Sequence, residues 1–247
     1  MSGQLSAVWG FVADRWTTAA EPDPGLVMVL TLGVLVLACV PRVWRVVRQA
    51  STIIHEMGHV LAAWVSGRRV SGIKLHSDTS GVTVSRGRSQ GPGILFTMVA
   101  GYPAPGLLAL GLVLLSTTGY AGAALTVYQA VLVLALLLSR NVVGVVSCVL
   151  SLLVTGGVWW WDNPSAVTYT VVALSVFYAV AGVRGSLDVI RMHVSRREDS
   201  SATDAAQAAV AWKAVPLPAG VWLGLFLLVS LVSAVGVLWL LLAEGLM

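Results

Sequence analysis

Residues 43–65 of the chain are VWRVVRQASTIIHEMGHVLAAWV, and this stretch does most to determine the fold. It is long enough to cross a bilayer as a helix, because about 20 residues cover ~30 Å of hydrocarbon. Yet it contains two arginines and the pentad His55-Glu56-Met57-Gly58-His59. Ionisable groups at membrane depth are costly in free energy, so we expect other helices to surround and shield this one.

The composition indicates that the whole chain is integral to a membrane. Of its 247 residues, 57% are hydrophobic and 11% are charged, and the mean hydropathy is +0.86. Soluble domains carry about 25% charged residues, and so few charges cannot cover the surface of a soluble domain of this length. The net charge of +4 comes without interleaved basic and aromatic residues, so a nucleic-acid partner is not indicated.

The hydrophobic pattern predicts an all-α polytopic membrane protein with about six to seven transmembrane helices. Seven hydrophobic segments can be recognised, at 25–40, 43–65, 93–115, 121–138, 142–159, 165–183 and 217–243. The first and fourth are short for a full span, so the first segment need not cross completely. Residues 1–24 are predicted to be an N-terminal tail, and residues 25–247 a single membrane-embedded domain with a cytoplasmic loop at 184–216.

The polar stretch 67–92 predicts a short β-hairpin. Apolar and polar residues alternate in 70–76 and in 82–86, and the turn-forming sequence Ser77-Asp78-Thr79-Ser80-Gly81 lies between them. A mobile polar loop is the alternative interpretation.

The distribution of lysine and arginine predicts a cytoplasmic N-terminus. If all seven segments cross and the N-terminus is inside, twelve of the 15 basic residues fall on the cytoplasmic side, as the positive-inside rule favours. The hairpin and the loop 184–216 are then cytoplasmic as well.

The pentad has the spacing of a zinc site. Positions i and i+4 share one face of a helix, so the imidazoles of His55 and His59 can bind the same ion. Glu56 is then placed beside the metal as the general base, and later as the acid that protonates the leaving amine. Zinc would lower the pKa of its bound water to about 7. Two structural histidines and a salt-bridged glutamate are the alternative.

A catalytic zinc usually has three protein ligands and one open position, so a third ligand is needed. His59 lies near the cytoplasmic end of its predicted helix, and the third ligand should therefore come from that side. Asp188 is favoured, and Asp204 in the following loop is the alternative. Three other residues are disfavoured because they lie on the opposite face or in solvated stretches: Asp162, His76 and His193.

Several short stretches together resemble a known family. They are the residues 52–59, Gly67-Arg68-Arg69-Val70, Ala100-Gly101-Tyr102-Pro103, Arg140-Asn141, and Thr203-Asp204-Ala205 followed by Pro216 and Trp222. With these motifs the chain resembles the site-2 protease family of intramembrane zinc metalloproteases, and most of all its small bacterial branch without a PDZ domain. The better-known members carry an Asn-Pro-Asp-Gly motif for the third ligand, which this chain lacks, so Asp188 and Asp204 both stay open.

The resemblance implies a zinc metalloendopeptidase of a bacterial cell membrane. It implies cleavage of transmembrane or membrane-associated protein substrates near the cytoplasmic face, zinc held by two histidines and an aspartate, and a hairpin that engages the substrate. A non-catalytic metal-binding scaffold and a transporter are the alternatives. The transporter is disfavoured because the sequence shows no obvious repeat and no second cluster of intramembrane charges.

Overall fold

The computed structural model describes residues 2–195 and 198–245, and these residues are mostly helical, as predicted. The helices are α1 (Ser2–Trp16), α2 (Pro24–Cys39), α3 (Pro41–Val65), α4 (Pro92–Val99), α5 (Pro103–Thr117), α6 (Ala121–Leu138), α7 (Val142–Trp161), α8 (Pro164–Val194), α9 (Asp204–Ala211) and α10 (Ala219–Gly245). A short 3₁₀ helix, Glu198–Ala202, precedes α9. The strands β1 (Arg69–Leu75) and β2 (Gly81–Arg86) form an antiparallel hairpin between α3 and α4.

Local sequence determines where many of these helices begin. Proline occupies the first turn of five of them: α2, α3, α4, α5 and α8. Backbone amides in the first turn have no acceptor within the helix, so the missing amide proton of proline costs no hydrogen bond there. The fixed φ angle of proline also suits a helix. Asp23, Asn141, Asn163 and Thr203 cap α2, α7, α8 and α9 by accepting a backbone amide proton through the side chain.

Two of the predicted segments differ from single straight spans. Val40 has an extended backbone before Pro41, and α2 and α3 meet there at 105°. The residue before a proline is driven out of the helical region, and a helix that continued unbroken through Pro41 would lose a hydrogen bond. The segment predicted at 93–115 is likewise divided into α4 and α5, which meet at 67°. Glycine and proline at 101–103 explain this second break.

The described residues therefore contain four helices long and apolar enough to cross a membrane, or six if each bent pair counts as one span. The higher number agrees with the lower end of the predicted range. Separate crossings by 25–40 and 43–65 are not supported, because α2 and α3 together form one bent pair.

The N-terminal segment and the hairpin lie at opposite ends of α6. At the first end, the Gly122 amide donates to the Thr18 carbonyl over 2.9 Å. At the second end, the Arg140 amide donates to the Ile73 carbonyl of β1, also over 2.9 Å. The prediction that both are cytoplasmic therefore fails if α6 crosses the membrane. That prediction counted α2 and α3 as two separate crossings. The predicted tail also contains α1, whose Arg15 lies 3.9 Å from Asp162.

The hairpin is confirmed, with bounds within one residue of those predicted, and its two strands are buried differently. Ile73 and Leu75 of β1 are fully buried against the helices. In β2, however, Val82 and Val84 are exposed, whereas Gly81 and Thr83 face the Glu56 carboxylate of α3. The apolar side of β2 therefore faces away from the helices, because its inner face is used for contacts with the pentad.

The central helices α5, α8 and α10 pack closely through small residues. A Cβ atom on Gly182 of α8 would lie 3.2 Å from the backbone nitrogen of Gly106 in α5. The buried hydroxyls of Ser186 and Ser230 lie 3.1 Å apart between α8 and α10. Small residues let helix backbones approach in this way inside membranes, and this packing supports the part of α8 that lies beside the pentad.

Candidate metal centre

The pentad lies in the most buried part of α3. Ile53, Ile54 and Met57 are buried among the surrounding helices, and so are Glu56 and His59. The sequence prediction that other helices shield the polar residues of this segment is consistent with this burial.

Gly58 of the pentad lets α3 lie directly against the break between α4 and α5. A Cβ atom at this position would lie 2.6 Å from the carbonyl oxygen of Ala100 and 2.7 Å from the Cβ of Ala104. Both distances are far below van der Waals contact. The backbone between α4 and α5 is thereby brought beside the two histidines.

Three ligand-type atoms converge at the pentad. Nε2 of His55 and Nε2 of His59 lie 3.2 Å apart, and Oδ2 of Asp204 lies 3.2 Å from the former and 3.1 Å from the latter. A tetrahedral site with bonds of ~2.0 Å would separate its ligand atoms by about 3.3 Å. The observed triangle thus has the size that a zinc ion requires.

The surroundings of Asp204 indicate that a cation binds between the three ligand atoms. Its Oδ2 atom is buried and has no hydrogen bond of acceptable geometry among the described residues, although both imidazoles are close. Burial alone would raise the pKa of Asp204, but the charge of His59 and the contacts with both imidazoles hold it well below its usual value. The carboxylate is therefore ionised and available as a ligand.

Helix α9 brings Asp204 to the histidines. Asp204 is the first residue of α9, and Thr203 before it caps the helix by accepting the amide proton of Ala206. His193, near the end of α8, lies with Nε2 2.6 Å from the Thr203 hydroxyl. His193 was predicted to be a solvated residue, but this contact ties α8 to the cap of α9 and so supports the position of Asp204.

Asp188, which the sequence favoured as third ligand, is not part of this group. Its carboxylate lies 3.1 Å from the guanidinium of Arg191 one helical turn later, and its side chain is 44% exposed, against 16% for Asp204. Both aspartates line the same cleft. The structure brings the alternative, Asp204, to His55 and His59. Of the disfavoured residues, Asp162 lies at the far end of α6, with α1.

The orientation of both imidazoles is fixed by neighbouring groups. Nδ1 of His59 lies 2.7 Å from the carbonyl oxygen of Thr97 in α4. A carbonyl only accepts, so Nδ1 donates, and Nε2 is the nitrogen on the Asp204 side that has the ligand lone pair in the neutral form of His59. The ring of His55 stands perpendicular to that of Tyr102, with centroids 4.6 Å apart, and Tyr102 stacks on Phe226 of α10 at 5.1 Å.

The hairpin contacts Glu56 directly. The Thr83 hydroxyl of β2 donates to Oε2 of Glu56 over 2.6 Å. A Cβ atom on Gly81 would lie 2.4 Å from Oε1 of the same carboxylate. The Thr52 hydroxyl of α3 also donates to the Thr79 carbonyl in the turn over 2.9 Å. The hairpin is therefore hydrogen-bonded to α3 at the pentad, and the Glu56 carboxylate lies between α3 and β2.

Gly101 leaves the space in front of the histidines open. A Cβ atom there would lie 2.4 Å from Nε2 of His59 and 2.7 Å from Cε1 of His55. Any larger residue would thus press on the nitrogen that faces Asp204.

A cleft of about 300 Å³ opens on this group of residues. Its walls come from α3, the hairpin turn, α8 and the start of α9, and they include Arg48, Glu56, Tyr102, Asp188 and Asp204. Polar side chains on one wall allow water to enter, while the helices behind them are apolar. The cleft can therefore hold a peptide segment and a water molecule beside Glu56.

A comparison with protein families agrees with this geometry. A family model described as Peptidase M50B-like matches residues 26–237, which include every residue of the site. The chain belongs to the Peptidase M50B-like family. This is the site-2 protease family, so the resemblance stated from the sequence is confirmed. Searches of curated proteins and of solved structures return no significant match. Membership of the M50B-like family makes the chain a membrane metallopeptidase by class.

Sequence reasoning missed several residues of this M50B-like site. Thr83, Gly81 and Thr97 contact the pentad from other elements, and none of them belongs to a recognisable motif. Gly101 and Tyr102 were noted only as a helix break or as part of the resemblance. The alternation of residues in β2 assigns Thr83 to one of the two faces of the strand. It does not show which face is turned toward the helices.

Proposed function

We propose that the chain is a zinc-dependent intramembrane protease that hydrolyses peptide bonds of membrane-embedded or membrane-associated substrates. The observation that carries the proposal is the triangle of His55, His59 and Asp204, with the Glu56 carboxylate in the wall of the same cleft. Membership of the Peptidase M50B-like family supports the class of reaction.

The three residues of the triangle suit zinc. Two imidazole nitrogens and one carboxylate oxygen are ligands that zinc accepts in tetrahedral sites, and a catalytic zinc keeps a fourth position open. We assign the ligand set His55, His59 and Asp204, with Asp204 in the place for which the sequence had favoured Asp188. When bound, zinc supplies Lewis acidity, which polarises the scissile carbonyl and makes water easier to deprotonate.

Glu56 carries the proton in the proposed reaction. It follows His55 in the pentad, so its carboxylate can take a proton from the attacking water and return it to the leaving amine. The hydrogen bond from Thr83 to Oε2 fixes the carboxylate in one orientation. The other oxygen, Oε1, is left to accept the proton from water.

The substrate is proposed to be a segment that has locally unwound. A helix hides its carbonyls in internal hydrogen bonds, and unpaired backbone groups are costly in lipid. The polar cleft, covered by the hairpin, can accept such an unwound segment where water is also present. The hairpin is held against Glu56 and is thus well placed to bind it.

The cleft is proposed to open to the cytoplasm of a bacterial cell. The basic residues of the hairpin end are Arg68, Arg69, Lys74, Arg86, Arg88 and Arg140. Arg15 lies at the other end of α6, with Asp162. The positive-inside rule then favours a cytoplasmic hairpin and an N-terminal segment on the opposite side.

The proposal is tested by measuring zinc and proteolysis on the same preparations. Purified wild type in lipid vesicles should contain one zinc per chain and cleave a single-span substrate. Glu56→Gln should keep the zinc and lose at least a hundredfold in rate, since a general base contributes about 10²- to 10⁴-fold. Equal cleavage by the wild type and by Glu56→Gln would contradict it. Zinc binding without any cleavage by the wild type would instead indicate a metal-binding scaffold.

A further inference from the structure

Arg48 is a second charged residue of the cleft that the proposed reaction does not use. It lies seven positions before His55 on α3, which is two helical turns and therefore the same helix face. Its side chain is partly buried, and it lines the cleft with His55 and Glu56.

The guanidinium of Arg48 has no protein partner among the residues that the structure describes. Other arginines near the cleft are engaged. Arg191 pairs with Asp188, and Arg184 donates to the carbonyl of Ala38 and stacks on Trp44. The carboxylate of Asp188, which also lines the cleft, is thus paired with Arg191. Because Arg48 lines the cleft, its guanidinium is available there to bind water or an anionic partner.

We propose that Arg48 is a specificity-determining residue that binds an aspartate or glutamate side chain of the substrate. This proposal rests on the proposed function, because it assumes that a peptide lies in the cleft. A guanidinium binds a carboxylate through two parallel hydrogen bonds, which gives both charge and geometric selection.

The spacing on α3 predicts where the acidic residue of the substrate lies. Seven residues of helix separate Arg48 from His55 by about 10.5 Å along the axis. An extended peptide advances about 3.3 Å per residue, so the acidic side chain falls about three residues from the scissile bond. A substrate segment with an acidic residue at this distance from an apolar, easily unwound stretch fits the cleft.

The test uses a set of single-span peptides with one variable residue. The residue is Asp, Asn or Lys, placed two to five positions on either side of a central Gly-Gly pair, and cleavage sites are read by mass spectrometry. Wild type in phosphatidylcholine vesicles should cleave the best Asp peptide with a kcat/KM about 10- to 100-fold above its Asn counterpart, the range for a charge-assisted hydrogen bond. Arg48→Gln should remove this preference, and Arg48→Glu should shift it to Lys.

Arg45→Gln is the matched control, because Arg45 is exposed on the same helix one turn earlier and does not line the cleft. It should keep the Asp preference. Equal cleavage of the Asp, Asn and Lys peptides by the wild type overturns the proposal, and so does an Asp preference that survives in Arg48→Gln. If Arg48→Gln instead lowers the cleavage rate of all peptides equally, and only in vesicles with anionic lipid, Arg48 binds lipid phosphate and not the substrate.

A binding measurement distinguishes failure of the proposed carboxylate site from failure of the proposed protease function. Affinity of the same peptides for zinc-loaded Glu56→Gln should show the Asp preference and lose it when Arg48→Gln is added. If the wild type cleaves no peptide but this preference is found, the proposed function fails and the carboxylate site stands. If binding shows no Asp preference, the carboxylate site is rejected whether or not cleavage occurs.

Discussion

The hydroxyl of Thr83 in the hairpin lies 2.6 Å from Oε2 of Glu56 and donates a hydrogen bond to it. Thr83 also lies 3.2 Å from the Glu56 carbonyl, so one side chain of β2 contacts both the backbone and the carboxylate of the proposed base. This contact joins two parts of the chain that the sequence presents as separate features, a polar loop and a pentad. Its consequence is that the proposed base is oriented by the hairpin as well as by α3.

Loss of the Thr83 hydroxyl should slow proteolysis without loss of metal. Thr83→Val keeps the shape of the side chain but leaves the Glu56 carboxylate without its donor. We expect kcat to fall by about 10- to 100-fold, since small misplacements of catalytic groups have effects of that size. Zinc content and cleavage rate, measured on the same preparation, check this expectation.

Thr83→Ser restores the hydroxyl and should recover most of the rate, which a role in packing alone does not predict. Val84→Thr serves as a control on the exposed face of the same strand and should be close to wild type. A Thr83→Val protein with wild-type kcat would show that the hydrogen bond does not matter for catalysis.

Removal of the carboxylate charge at Asp204 should abolish tight zinc binding. In Asp204→Asn the side chain keeps its size, but the ionised oxygen of the triangle is lost. We expect zinc affinity to fall by more than the 10- to 100-fold that loss of an outer-shell partner costs. Competition with a chromogenic chelator gives the affinity directly.

Asp188→Asn is the matched variant, because Asp188 lines the same cleft but pairs with Arg191. It should bind zinc as the wild type does. If Asp188→Asn lost zinc and Asp204→Asn kept it, the ligand assignment would have to be reversed.

A methyl group at Gly101 should displace the imidazoles. The added Cβ of Gly101→Ala would lie 2.4 Å from Nε2 of His59, too close for any packed side chain. We expect loss of zinc and of activity. Gly111→Ala in α5 is the control, because a Cβ there meets no atom within 4 Å and alanine is the better helix former. Far-ultraviolet circular dichroism should show both proteins folded, and unaltered zinc binding by Gly101→Ala would argue against the proposed position of the metal.

The two ends of α6 should be accessible from opposite sides of the membrane. In a background without Cys39 and Cys148, single cysteines at Thr17→Cys and Ser77→Cys probe the N-terminal segment and the hairpin turn, both exposed. A membrane-impermeant maleimide should label Thr17→Cys on intact cells and Ser77→Cys only after permeabilisation. Labelling of both residues under one condition would mean that α6 does not separate them.

The parts of the site that a local pattern encodes were predictable from the sequence. His55, Glu56 and His59 follow from the spacing of one helix, and the structure places them together on α3. The hairpin was predictable from alternation and turn residues, and its bounds agree within one residue. These features depend on neighbours within a few positions, where the periods of helix and strand apply directly.

The third position of the triangle was not predictable in this way. The choice between Asp188 and Asp204 depends on the pairing of Asp188 with Arg191 and on the Thr203 cap that begins α9. The bend at Val40 was missed for a related reason. Pro41 was visible in the sequence, but a proline at the first turn of a helix does not reveal the angle to the preceding helix, which packing decides.

His55 and Asp204 are separated by almost 150 positions along the chain, which matters for biosynthesis. A ribosome that adds about 5–20 residues per second needs roughly 7–30 seconds to extend the chain from one to the other. During that interval the histidine pair is already made, but the carboxylate that completes the triangle is not. The nascent protein therefore has an incomplete triangle of ligands while its own later helices are being inserted, and the proposed hydrolysis can begin only after α9 has docked.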